Sequence, residues 1–402
     1  MKARAKNKLL KMKRVKNPHK MVSLFSGIGG FELAFQRIDV PTALMCEIDP
    51  IAQRVLRTNF PEVRLVDDIC KLKKLPRGTD VVCAGFPCQD LSTIGVKKGM
   101  SGERSSLIKE VLRLLGQSKV EWVLIENVTN MLHLHKGETI KTILNGLEGL
   151  GYKWAYRVID SLAFVPQHRR RVYVVASLTH NPNDVLLSGI YPSAIEVIDP
   201  NVYDAPCGFY WTEGKYALGM YKNGIPTLKC GSTIGIPSAP AIAFPNGNVG
   251  CPDIRDAERF QGFPENWTLS AEEVARPSSR WKLVGNAVTV DSVAWIANKI
   301  IHPERYDGSN DKEMVNDTKW PDAAWGDGEK RYISSSNAYP VERAIIPLSD
   351  FLNHPCTPLS LKAATGFEDR LNIGTVRCSD HFRTIIHQYV ISKLEENGRN
   401  NN

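Results

Sequence analysis

The chain lacks several features that would assign it to common classes of protein. No window approaches 18 uninterrupted apolar residues, so we expect no membrane span, and the N-terminus has no apolar stretch of signal-peptide type. Nine scattered cysteines form no Cys-x-x-Cys pair and no Cys/His cluster with zinc spacing. This usage argues against a structural metal site and predicts a reduced, cytoplasmic compartment.

Positive charge is concentrated at one end. The formal net charge is +8, yet residues 1–20 hold nine lysines and arginines and no acid, so the rest is close to neutral. Such a block predicts a basic flexible tail. It is either only solvated or adds sequence-independent attraction to nucleic acid phosphates, and composition does not decide between these.

Short β-rich runs alternate with helical segments over residues 21–177. Strands are predicted at 21–27, 42–49, 79–87, 120–128 and 171–177, and helices at 31–38, 106–118 and from Pro50 onward. This alternation predicts an α/β fold with a parallel sheet and helices on both faces.

The pattern changes after residue 177. Residues 178–254 are rich in Pro, Gly and Ser and predict a smaller domain of irregular or β character. Helical periodicity returns within 255–301, which we interpret as a segment that rejoins the first domain. Residues 302–402 form a C-terminal extension, linker-like to about 335 and then richer in apolar clusters.

The stretch "FSGIGGFE" (25–32) predicts a glycine turn between a strand and a helix. It departs from G-x-G-x-x-G because Glu32 occupies the third glycine position, which disfavours a dinucleotide. Glu47 ends the next strand, where a carboxylate can accept hydrogen bonds from a ribose diol. Asp68 ends a predicted third strand and can accept a hydrogen bond from an adenine amino group, so the pattern favours a nucleoside cofactor without pyrophosphate.

Three further strand ends carry reactive side chains. "AGFPCQDLS" (84–92) places Cys88 after the rigid Pro87, which suits a nucleophilic thiol. Glu126 follows four apolar residues, and partial desolvation there would raise its pKa and suit a proton donor; a helix-capping acid is the alternative. Gln167, Arg169 and Arg171 occupy alternate positions, which places them on one face if the segment is extended. Such a face suits a phosphate or the edge of a base, or is merely a solvated edge.

In this order, these motifs together with "RDAERFQGFPENW" (255–267) and "VGNAVTV" (284–290) resemble the cytosine-5 DNA methyltransferase family over roughly residues 21–301. The resemblance implies a Rossmann-like sheet, S-adenosyl-L-methionine as cofactor, double-stranded DNA as partner and a cytosine flipped out of the duplex. It assigns Cys88 as the nucleophile that adds to C6, Glu126 as the contact to N3 and Arg171 as a holder of the base. Gln167 and Arg169 belong to the same motif and are grouped with these catalytic residues. The implied cofactor-binding residues are Phe25, Gly27, Gly29, Gly30, Glu47, Asp68, Pro87 and Asn286.

The resemblance also implies a loop at 92–106 that closes over DNA, a target-recognition domain at 178–254 and action as a monomer. Ser23 stands where the family usually has an aspartate, and "FSG" replaces "FAG". Alternatives are an RNA cytosine methyltransferase, a nucleic-acid-binding module without chemistry and a dinucleotide-dependent oxidoreductase. The target sequence, the residues that read it and any paired endonuclease are not readable from the sequence.

Overall fold

The computed structural model describes residues 20–87, 107–192, 204–212, 218–231, 239–315, 319–342, 346–373 and 378–400. Cys88, the predicted loop at 92–106 and nearly all of the predicted tail lie outside these ranges. In the described ranges, no helix has the length and apolarity needed to cross a bilayer.

Strands and helices alternate from β1 to β3 and again from β4 to β6. The strands are β1 Met21–Leu24, β2 Thr42–Cys46, β3 Leu65–Val66, β4 Val81–Ala84, β5 Trp122–Val128, β6 Lys153–Asp160, β7 Gln167–His168, β8 Arg170–Ser177, β9 Cys207–Phe209, β10 Tyr221–Lys222, β11 Ile225–Pro226, β12 Ala241–Ala243, β13 Val249–Cys251, β14 Lys312–Glu313, β15 Ala323–Gly326, β16 Arg331–Ile333 and β17 Thr357–Pro358. The helices are α1 Gly30–Gln36, α2 Pro50–Asn59, α3 Leu107–Ser118, α4 Glu138–Gly149, α5 Asn183–Leu186, α6 Ile254–Phe260, α7 Ser279–Asn286, α8 Val290–Ile301, α9 Leu348–Phe351, α10 Leu361–Ile373 and α11 Asp380–Asn400.

Ten strands form the large sheet, in the order β14-β16-β15-β6-β8-β5-β4-β1-β2-β3. Alternate residues of each central strand enter opposite cores: Met21 packs with α1 and α8, whereas Val22 packs with α3 and α4. The strands are therefore buried on both faces, as expected for a sheet covered by helices. The predicted α/β fold with helices on both faces is confirmed.

The expectation of an all-parallel sheet is wrong for one half. Strands β3, β2, β1, β4 and β5 are parallel, but β8 runs antiparallel to both β5 and β6. The short segment between β6 and β8 is a return connection, because a parallel crossover needs a dozen or more residues. The interpretation of 302–335 as linker is also wrong, because β15 pairs with β6 and buries Ala323 and Ala324.

A second sheet has the order β10-β9-β12-β13-β17. Its first four strands come from the predicted target-recognition segment, and the fifth comes from the C-terminal extension. Helices α10 and α11 cover it, with Phe367 and Phe382 packed against Phe209. The C-terminal extension thus contributes strands to both sheets.

Candidate active site

The glycine turn after β1 has a left-handed backbone at three positions. Phe25, Gly27 and Gly29 have φ values of 60°, 57° and 92°. A positive φ at a bulky residue such as Phe25 is strained and points to a functional site. A Cβ on Gly29 would lie 2.5 Å from Phe60, and one on Gly30 2.5 Å from Val288, whereas nothing lies within 4 Å of one on Gly27. Gly29 and Gly30 are required by packing, and Gly27 faces open space.

The turn is attached to the end of β2 by paired hydrogen bonds. The Ser26 amide donates to the Cys46 carbonyl at 2.9 Å, and the Cys46 amide donates to Ser26 Oγ at 3.2 Å. Next to them, the Gly27 amide donates to Glu47 Oε2 at 2.7 Å, and the Asp49 amide donates to Oε1 at 2.8 Å. Burial raises the pKa of Glu47, although these amides oppose the shift.

The other predicted cofactor residues surround the same carboxyl edge of the parallel strands. Asp68 follows β3 and accepts the Cys70 amide through Oδ1. Asn286 ends α7 and is exposed, and Lys282 on the same helix lies 3.8 Å from Asp49. The edge therefore has open space at Gly27 and carries two strand-end carboxylates, Glu47 and Asp68. This arrangement fits a nucleoside without pyrophosphate.

The segment that leads to Cys88 leaves β4 at this edge. Asn127 Nδ2 donates to the Phe86 carbonyl at 3.0 Å, while Asn127 Oδ1 accepts the Val128 amide at 2.9 Å. The Phe86 ring makes an edge contact with the ring of Phe25, at 6.1 Å between centroids. Two neighbouring strand ends thus hold the backbone immediately before Pro87, which is exposed.

Glu126 and Arg171 form an ion pair beside this segment. Arg171 Nε lies 3.1 Å from Glu126 Oε1, and a Cβ on Gly85 would lie 3.9 Å from Oε2. Burial raises the pKa of Glu126, and the charges of Arg171 and Arg169 only partly offset it. The raised pKa that the sequence predicted is confirmed. A buried carboxyl held by one arginine at the sheet edge can donate or share a proton.

Gln167 and Arg169 are buried away from this edge. Gln167 Nε2 donates to the Phe260 carbonyl, and its Oε1 accepts the Leu228 amide. Arg169 donates to the carbonyls of Leu228, Gly285 and Ala287. Both side chains therefore join β7 and β8 to the segments that return from the smaller sheet.

Sequence reasoning did not assign roles to Asn127 or Ser26, although both lie in the motifs that it quoted. Ser26 lies two residues after the end of β1, and Asn127 is the penultimate residue of β5. Their position at the ends of buried strands was the signal available in the sequence. Their partners are backbone groups of other strands, and such pairings depend on strand order rather than on spacing.

The comparisons with known proteins agree with this geometry. The family model described as C-5 cytosine-specific DNA methylase matches residues 19–205. Type II methyltransferase M2.BsuMI of Bacillus subtilis (strain 168) is 43% identical over 375 residues, which are 90% of this chain and 96% of that protein. Type II methyltransferase M.Bsp6I of Bacillus sp. (strain RFL6) is 30% identical, over 70% of this chain and 98% of the relative.

Two solved structures show the same fold. The S. pombe Dnmt2 methyltransferase has 18% identity and a TM-score of 0.50, over 70% of this chain and 98% of that one. The Entamoeba histolytica methyltransferase EhMeth also has 18% identity and a TM-score of 0.50, over 71% and 98%. The expected methyltransferase-type sheet is confirmed.

Proposed function

Because this chain belongs to the family of C-5 cytosine-specific DNA methylases and transfers a methyl group from S-adenosyl-L-methionine to C5 of cytosine in DNA, we propose that Cys88 is its nucleophile. The thiolate adds to C6 of the base, which makes C5 electron-rich. S-adenosyl-L-methionine supplies the methyl group that C5 takes. Loss of the C5 proton and elimination of the thiol then restore the ring and the enzyme.

The Glu126–Arg171 pair is the observation that carries this proposal. As the thiolate adds, negative charge develops on the ring, and a proton held between Glu126 and N3 of the base neutralises it. Burial keeps Glu126 protonated at a higher pH than an exposed carboxyl. Arg171 fixes the direction of the carboxyl group at 3.1 Å and completes the pocket for the base.

We propose the cofactor site on the glycine turn. Gly27 leaves space for the ligand, the carboxylate of Glu47 faces the ribose and that of Asp68 faces the adenine amino group. The remaining proposed contacts are those of Phe25, Gly29, Gly30, Pro87 and Asn286. Gln167 and Arg169 act as positioning residues, because Gln167 Nε2 and both terminal nitrogens of Arg169 donate to backbone carbonyls.

The substrate is proposed to be a duplex from which one cytosine is flipped out, since Cys88 cannot reach C6 within stacked bases. Target recognition is proposed for 178–254, whose strands form most of the smaller sheet. We propose that the enzyme acts as a monomer in the cytoplasm of a bacterium, since the two relatives named above are bacterial proteins. The basic tail at 1–20 would add salt-dependent attraction to phosphates.

The test is expression in a host without cytosine methylation, followed by bisulfite sequencing of host DNA. Protected cytosines in one recurrent short motif are expected for the native chain and for Cys378→Ala, a cysteine in the C-terminal segment that serves as the matched control. Cys88→Ala should leave no cytosine protected. Protection that persists in Cys88→Ala would refute the nucleophile, and no protection by soluble native protein would direct the search to RNA.

A further inference from the structure

Glu32 is a fully buried carboxyl group beneath the glycine turn. Its exposed fraction is 0%, and neither of its oxygens makes a hydrogen bond of good geometry within the described residues. The hydroxyl groups of Ser23 and Ser26 face it and lower its pKa. Buried polar groups without partners are rare in folded proteins, so this one requires an explanation.

The charges around Glu32 are negative or absent. Glu47 raises its pKa, and the neighbouring Cys83 is a buried thiol whose pKa is itself raised. In the described part of the chain, no lysine, arginine or histidine forms an ion pair with Glu32 or Glu47. Other buried carboxylates here have such partners: Glu126 pairs with Arg171, and Glu258 with Arg280. Glu32 and Glu47 therefore place carboxyl groups in the cofactor cleft without a paired cation, since Lys282 at the edge of the cleft lies beside Asp49 instead.

Glu32 is coupled to the turn through the two serines. Ser26 Oγ donates to Ser23 Oγ at 3.0 Å and accepts the Cys46 amide, so it connects the turn to β1 and β2. Ser23 stands where the family usually has an aspartate. In this chain the carboxyl group of Glu32, from α1, faces Ser23 and Ser26.

We propose that Glu32 is a positioning residue whose buried carboxylate makes the cofactor site favour the positively charged methyl donor over its neutral product. S-adenosyl-L-methionine carries a sulfonium, an ammonium and a carboxylate, whereas S-adenosyl-L-homocysteine has lost the sulfonium charge. In a site of low dielectric constant, the sulfonium charge interacts strongly with a nearby carboxylate. The inference rests on the cofactor site proposed above.

Proton release on binding follows from this arrangement. Burial is the main cause that raises the pKa of Glu32 from 4.5 to about 7. A cation bound nearby favours the ionised carboxylate, so the donor displaces a proton and binds more tightly as the pH rises through about 7. The uncharged product has little effect on this equilibrium.

Titration calorimetry on the full chain tests the proposal, with both ligands at about pH 6 and about pH 8. The donor should bind up to about tenfold more tightly at the higher pH, and the product should change by less than about twofold. In Glu32→Gln, the donor should lose this gain while the affinity for the product stays the same. Glu313→Gln, at an exposed edge strand, is the matched control and should behave as the native chain.

Measurements in two buffers of different ionisation enthalpy report the proton directly and need no variant. Donor binding that releases no more protons than product binding would overturn the proposal. If folded Glu32→Gln keeps the pH dependence of donor binding, that dependence belongs to Glu47 and the proposal for Glu32 is refuted. A native chain that binds neither ligand would count against the cofactor site itself, and not specifically against Glu32.

Discussion

At the scale of single residues, Asn127 connects the strand that carries Glu126 to the segment before Cys88. Asn127→Asp keeps the acceptor for the Val128 amide but loses the donor to the Phe86 carbonyl. We expect a fall in kcat of about tenfold, because the nucleophile is held less well, with donor affinity nearly unchanged.

Single-turnover kinetics and donor titration would measure both quantities. Asn130→Asp introduces the same charge at an exposed position nearby and serves as the control. An equal loss in both variants would mean that charge, rather than the bond to Phe86, sets the rate.

The residue scale also shows how far spacing can predict a site. Gln167, Arg169 and Arg171 alternate in sequence, which predicted one shared face at a phosphate, a base edge or a solvated edge. Arg171 contacts Glu126, but Gln167 and Arg169 are covered by residues near 228, 260 and 285–287. Segments distant in sequence bury these two side chains, and the periodicity of the sequence does not indicate which segments pack together.

At the scale of elements, Arg169 lies between β7 and β8 and connects them to the segments that contain Leu228 and Gly285. Its burial lowers the pKa of its guanidinium to about 9, and carbonyls of three residues accept its hydrogen bonds. We expect Arg169→Met to reduce the free energy of unfolding by about 2–4 kcal/mol, because those carbonyls lose their donor in a buried place.

Urea unfolding would measure this loss. The neighbouring Arg170 is exposed and pairs only with Asp322, so Arg170→Met should cost less than about 1 kcal/mol. Similar losses in the two variants would show that the carbonyl contacts of Arg169 contribute little.

Strand order was only partly predictable. The runs at 21–27, 42–49 and 120–128 correctly predicted β1, β2 and β5, because each is a short segment rich in apolar residues. β6 was missed, since Lys153–Asp160 mixes charged and aromatic residues that are buried by pairing with β15. Without β6, the antiparallel direction of β8 had no signal in the sequence.

At the scale of the whole molecule, the C-terminal segment completes the smaller sheet. A chain that ends at 342 keeps β15 and β16 but loses β17 and the helices that cover Phe209 and Val249. We expect it to retain donor binding and to lose selective DNA binding, because the smaller sheet would expose its core.

Hydrogen exchange and DNA binding at fixed salt would test this. Amides of β9, β12 and β13 should lose protection, while those of β1 and β4 keep it. A chain without residues 1–19 is the control, since it retains every described element. Unchanged protection in the smaller sheet would refute the dependence.

The pairing of β13 with β17 has a consequence for biosynthesis. During translation, β9 to β13 emerge long before the strand and helices that cover them, so the edge at β13 stays open. In a ribosome-bound chain the five parallel strands emerge early, whereas the smaller sheet is complete only when synthesis is nearly finished. We therefore expect a prematurely terminated chain to lack a complete smaller sheet, and with it the target recognition that we propose for that sheet.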